Sequence, residues 1–262
     1  MAALPFRRRV TPTPTEMSLF EHLTELRQRI VRSLLAIGVF AAIILIFYEP
    51  VLRFLIRPYV STCAEHPEFN CDGSLYALGP IEGLAARMRI SGYGGVIAAL
   101  PVILWQVWRF IVPALSPREK RYSIPFIISS VVLFLCGAGL AYWTLDKALE
   151  FLIAWSGSEV NQTYQISKYV GLVAMMVLAF GAGFLLPVLI VFLQLVGVVQ
   201  PQTLIQQWRV ATMGVFAVSA VITPSGDPIS MLALAVPMTV LYLIAVLIGW
   251  IAQRRSLRLA DE

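Results

Sequence analysis

The sequence predicts an all-α polytopic membrane protein: six kinked transmembrane helices forming a curved bundle, with helices 5 and 6 short. Three observations carry this reading. First, 58% of the 262 residues are hydrophobic and only 13% charged, with a mean hydropathy of +0.78. A soluble domain of this size needs a charged skin, and its lack points to lipid as the solvent. Second, the charges bracket long uncharged runs: sixteen residues between Arg32 and Glu49, nineteen between Arg89 and Arg109, twenty-four between Arg121 and Asp146, and forty between Lys168 and Arg209. A helix needs roughly 20 apolar residues to cross the hydrocarbon. The first three runs therefore hold one span each, and the fourth holds one long span plus a loop. Arg209 to Arg254 is broken only by Asp227 and holds two more. Third, six spans put both termini on one side, and that side carries fourteen of the twenty Lys and Arg residues. The positive-inside bias makes it the cytoplasmic side.

In chain order, residues 1–17 are rich in Pro, Thr and Arg, lack periodicity, and read as a flexible cytoplasmic tail near anionic lipid. Met17 is a candidate second start. Ser18 with Glu21 has the spacing of a capping box, and Leu19, Leu23, Leu26 and Ile30 line one helical face. Residues 18–32 thus read as an amphipathic lead-in at the interface, before a first span over 31–48. That apolar run starts too far along for a removed signal, so it is a retained helix. Residues 49–87 form the longest hydrophilic connection and face outward, with a short interfacial helix over 51–59 ended by Pro58. The second span covers 90–110, followed by a charged inner loop over 112–122. Pro125 suits the first turn of the third span, which ends near Thr144. Residues 146–168 make a second outer loop, 169–196 the fourth span, and 200–209 a polar inner loop.

The fifth span has room only from 210 to 222, before the turn Thr223-Pro224-Ser225-Gly226-Asp227-Pro228. Such a helix reaches roughly 20 Å against roughly 30 Å of hydrocarbon, so lipid thins locally or the outer end sinks inward. The membrane domain closes near residue 252, and 253–262 form a cytoplasmic tail. Pro101, Pro187 and Pro237 fall inside spans and are expected to kink them. No internal repeat is evident, which disfavours many transporter folds.

The sequence holds no metalloprotease, P-loop, nucleophile-elbow or paired-cysteine metal motif. No cofactor or metal is expected; His22 and His66 fall on opposite sides. The net charge of +5 is too small and too spread for nucleic acid. Ionisable groups are nearly absent within the spans, leaving no carriers for a proton relay. Cys63 and Cys71 lie in the first outer loop, where an oxidising compartment permits a disulfide; two free thiols are the alternative. Cys136 reads as a small packing residue. On the cytoplasmic side, Glu21, His22, Glu25, Arg27 and Arg29 form one charged group, and residues 113–121 a second. Taken alone, both read as solvated charges that set topology. Yet Glu25 and Glu119 are carboxylates on an arginine-rich face, and each can accept a bidentate guanidinium where a lysine would fit less well.

The segment His22-Leu23-Thr24-Glu25-Leu26-Arg27-Gln28-Arg29 resembles the His-Leu-x-Glu-Leu-Arg-x-Arg signature that opens TatC proteins. Residues 101–115 resemble their second helix and first inner loop, with Glu119-Lys120-Arg121 at the family's spacing. Phe180-Gly181 with Pro187 resembles their fourth helix; Thr223-Pro224 with Asp227-Pro228 resembles the turn between helices 5 and 6. Four motifs recur in order from about residue 17 to 250. The resemblance implies a non-enzymatic core subunit of the twin-arginine protein export system in the bacterial plasma membrane. It implies that Glu25, Glu119 and Phe110 help to bind twin-arginine signal peptides of folded cargo. It also implies a multimeric complex with single-span TatA-type and TatB-type partners, docked on a polar patch that includes Thr223, with Pro58 and Asp227 as functional loop positions. Two departures stand out. Phe184-Leu185-Leu186 replaces a segment that carries Glu in many relatives, and Met231 stands where many have Gln, so partner docking leans on packing. Without the resemblance, the alternatives are a small-molecule transporter, which lacks its buried charge here, and a membrane enzyme, which lacks clustered catalytic residues.

Overall fold

The computed structural model describes residues 19–69, 71–111, 123–157, 163–195 and 197–258, with side chains placed for these except 19–21, 123 and 252–258. Eight α-helices follow in order among the described residues: α1 (Leu19–Ile46), α2 (Tyr48–Glu65), α3 (Glu82–Ile111), α4 (Ser123–Ser156), α5 (Ile166–Leu195), α6 (Pro201–Gln206), α7 (Trp208–Ile222) and α8 (Pro228–Arg258). Five of them (α1, α3, α4, α5 and α8) are long and apolar enough to cross a membrane, and α7 is a shorter apolar helix. The protein is thus a polytopic all-α membrane protein. Large apolar side chains such as Leu35, Val39, Met213 and Val221 point outward, as expected where lipid replaces water.

Several boundaries differ from the sequence reading. The amphipathic lead-in and the first span are one helix, α1. No proline interrupts residues 19–46, so nothing removes a backbone bond between the two parts. The helix expected to end at Pro58 instead continues to Glu65 with Pro58 inside it. Proline lacks the N–H that would reach the Phe54 carbonyl four residues back. The Tyr142 hydroxyl of α4 donates to that carbonyl at 2.8 Å, with the Phe54 and Tyr142 rings stacked at 4.4 Å. A tertiary hydrogen bond therefore replaces the missing local one.

Helix α4 runs past Thr144 to Ser156. Its charges, Asp146, Lys147 and Glu150, sit on one side, while Leu145, Ala148, Leu149 and Ile153 continue a buried stripe on the other. This is the pattern of an amphipathic extension rather than a loop. Residues 201–206, read as loop, form α6. The last helix has 31 residues, so only the fifth span is short. A two-residue parallel pair joins the connections after α2 and α4: β1 (Leu75–Tyr76) pairs with β2 (Tyr164–Gln165), Leu75 opposite Tyr164. Cys136 lies exposed on α4 instead of packing inside.

The main core lies among α4, α5 and α8, where Leu145, Ile153, Met176, Phe180 and Leu234 are buried, and α2 contributes Tyr59. Helices α4 and α5 interlock reciprocally: Phe134 packs on Gly181, and Phe180 and Phe184 pack on Gly137. Small residues let backbones approach where apolar burial alone gives helices no drive to associate in lipid.

Helix α7 has 15 residues, about 22 Å of helix against roughly 30 Å of hydrocarbon. Spin labels at Val210 and Ile222 are expected to differ in depth by about 18 Å at most. A separation of a full hydrocarbon thickness would reject the short span.

Candidate functional site

The site is built where the start of α1 meets the end of α3. A Cβ on Gly95 would sit 2.9 Å from the Ala41 backbone, and one on Gly94 would sit 2.8 Å from the Ile44 side chain. Only glycine lets the helices come this close. The same antiparallel register carries Arg29 opposite Gln106 and His22 opposite Phe110. His22, Glu25 and Arg29 lie three and four residues apart and so share one helical face.

On that face the His22 and Phe110 rings stack at 4.3 Å. The Arg29 Nη2 donates to Glu25 Oε1 at 2.6 Å, and its Nη1 donates to Gln106 Oε1 at 3.2 Å. The pair is mostly shielded: the Glu25 side chain is 21% exposed and that of Arg29 13%. Arg29 Nε is buried with no partner among the described residues. The arrangement is a carboxylate at a helix mouth, beside an aromatic ring, that already holds a guanidinium. Sequence reading found Glu25 and Phe110 but not Gln106, whose role appears only when α3 is laid against α1. Glu119 lies outside the described residues, in the segment that follows Ile111.

Two apolar hollows flank this half of the bundle. One, of about 350 Å³, lies among α4, α5 and α8 and is lined by Phe126, Leu133, Pro187, Val191, Leu241 and Ile248. The other, of about 200 Å³, includes Leu185 with Leu104, Trp108 and Phe192. Its lining offers an acid at Leu185 little to hydrogen-bond. Gln194 adds a polar cross-link nearby, its Nε2 donating to the Ala245 carbonyl of α8 at 3.3 Å.

The turn after α7 directs its polar groups inward. Thr223 is buried and its hydroxyl donates to the Ser219 carbonyl at 2.6 Å. Asp227 is also buried; its carboxylate accepts the Ser230 N–H at 2.7 Å and the Ser225 hydroxyl, capping α8. Gly226 has φ +63°, the left-handed conformation this turn requires. Met231 is half-buried. The polar groups face inward between α7 and α8, and the exposed face of α7 is apolar, with Val210, Met213 and Val221.

At the opposite end of α1, Cys63 and Cys71 are joined by a disulfide with Cα atoms 5.6 Å apart. Pro58 is buried nearby, and its carbonyl accepts the Ser61 and Thr62 hydroxyls. Burial pushes the Tyr59 phenol up to about 12. The Tyr76 hydroxyl and the Ser74 N–H hold the exposed Asp72 carboxyl below its usual range. These groups fasten the cap, and among the described residues no cluster of His, Cys, Asp and Glu could hold a metal ion.

A family model described as "Sec-independent protein translocase protein (TatC)" matches residues 21–237. The Sec-independent protein translocase protein TatC of Frankia casuarinae is 37% identical over 267 residues, covering 100% of this chain and 73% of that protein. The TatC of Aquifex aeolicus is 36% identical, covering 92% of this chain and 98% of that protein. A crystal structure of the twin-arginine translocase receptor TatC superposes with a TM-score of 0.72 at 34% identity, covering 89% of this chain and 100% of that one.

Proposed function

Because the chain belongs to the TatC family of Sec-independent protein translocases, we propose that it is the core receptor of a twin-arginine export system, binding Arg-Arg signal peptides at the face formed by α1 and α3. One observation supports this above the others: Glu25, three residues from the His22 that stacks on Phe110, already holds a guanidinium at 2.6 Å. The Glu25 carboxylate is therefore an acceptor suited to an arginine side chain. In this reading Glu119, which follows Ile111 in the chain and lies outside the described residues, is the second acceptor, one carboxylate for each arginine of the pair. A charge-assisted hydrogen bond contributes roughly 1.5–3 kcal/mol, so two of them separate a paired ligand from a single one. The signal's apolar segment then lies along the hollow among α4, α5 and α8, which is lined by apolar side chains on the same half of the bundle.

In this reading both termini are cytoplasmic and the membrane is the bacterial inner membrane. The protein catalyses no reaction and carries no cofactor of its own. Single-span partners of the TatA and TatB type pack on the exposed apolar face of α7 through Val210, Met213 and Val221, since the Thr223 hydroxyl is turned inward. The test is Glu119→Ala, which should weaken crosslinking of a twin-arginine signal peptide without lowering protein abundance. Equal crosslinking by variant and wild type would remove Glu119 from the site.

A further inference from the structure

We infer that Arg29 is a resident stand-in for the incoming arginine: it occupies Glu25 at rest and retires to Gln106 when a signal peptide binds. The inference rests on the reading of Glu25 as a signal-arginine acceptor. It goes further by making the site an exchange rather than an open pocket.

Three features of the geometry support it. The Glu25–Arg29 bond is intramolecular and sits where a ligand guanidinium would, so the two arginines compete for one carboxylate. Arg29 has a second acceptor, Gln106 Oε1 at 3.2 Å on a different helix. When it gives up Glu25 it keeps this bond, so the guanidinium retains a hydrogen-bond acceptor, which lowers the cost of exchange. Finally, Arg29 Nε is buried with no partner among the described residues, so the resting position leaves one of its donors unspent. Among the described residues the resting guanidinium is thus incompletely satisfied, and a competing ligand displaces it at modest cost.

Occupancy raises the threshold for binding while leaving the ratio of affinities between ligands unchanged. A resident guanidinium lowers the apparent affinity of every cationic ligand by the same factor. Weak ligands, such as peptides with lysines in place of arginines, fall below useful binding, while a ligand with two guanidiniums still exchanges.

Two substitutions give opposite signs. Arg29→Lys keeps the charge but loses the planar fork, and so loosens the resident pair. The full chain in lipid nanodiscs should then bind a fluorescent peptide of adjacent arginines followed by an apolar segment more tightly, by up to about fivefold, the upper end of the range for such an ion pair. Gln106→Leu removes the second acceptor, ties Arg29 to Glu25, and should weaken the same peptide several-fold. A purely structural role for the cluster would weaken binding in both variants. Arg29→Lys binding no tighter than wild type overturns the inference, as does Gln106→Leu binding as well as wild type. Glu25→Gln separates the two levels. If Glu25→Gln alone binds like wild type, the reading of the site has failed. If it abolishes binding while Arg29→Lys gains nothing, only the exchange has failed.

Discussion

Gly137→Leu is expected to unfold the protein's helical core at temperatures where the wild type is intact. A Cβ at residue 137 would lie 2.6 Å from the Phe180 carbonyl oxygen and 2.9 Å from the Phe184 ring. The oxygen belongs to the backbone of α5, so relief requires the two helices to separate. Separation then lifts Phe134 from Gly181, because the contact is reciprocal. Overpacking of a well-filled core costs about 1–3 kcal/mol, and more where backbone must move. Gly137→Ala should fall in that range and Gly137→Leu beyond it, read as loss of melting temperature in detergent. Gly139 is the control: nothing lies within 4 Å of its Cβ position, so Gly139→Leu should change stability by less than about 0.5 kcal/mol. Equal melting of the two leucine variants would sink the argument.

The second large effect concerns the cap. Replacing Cys63 and Cys71 together by serine should lower stability by about 2–3 kcal/mol, the loop-entropy value for cysteines separated by 8 residues. The bond ties the end of α2 to the strand of residues leading into β1, and β1 is paired with β2 at the start of α5. Its loss should therefore raise amide exchange at residues 72–76 first, leaving the α4–α5 core protected. Alkylation followed by intact mass measurement checks the premise: unreduced protein should take up one label, at Cys136, from its three cysteines. Three labels, or an unchanged melting temperature in the double variant, would show that the cap does not depend on this bond.

Much of this protein was legible in its residues. Span number followed from uncharged runs, because a charge in hydrocarbon is too costly to leave unpaired. The short fifth span followed from the distance between Arg209 and Pro224. Glu25 and Phe110 were singled out by their motifs, and the fold brings the α1 and α3 ends that carry them together. The misreadings share one cause. Charges were taken to mark loops, yet in α4 the acidic and basic groups occupy one face of a helix whose other face is buried. Pro58 was taken to end a helix, yet the hydroxyl of Tyr142, eighty-four residues on, satisfies the carbonyl it orphans.

The sequence by itself determined the solvent, the number of crossings and the family, because these depend on composition, spacing and ordered motifs that no packing can alter. Only the tertiary structure decided which polar groups are available. Glu25 and Arg29 pair four residues apart on one helix, but only α3 laid against α1 adds Gln106 as a second acceptor for the Arg29 guanidinium. The contact with Gln106 depends on Gly94 and Gly95 bringing two helices into contact across more than seventy residues of chain, and no local pattern encodes such a distance.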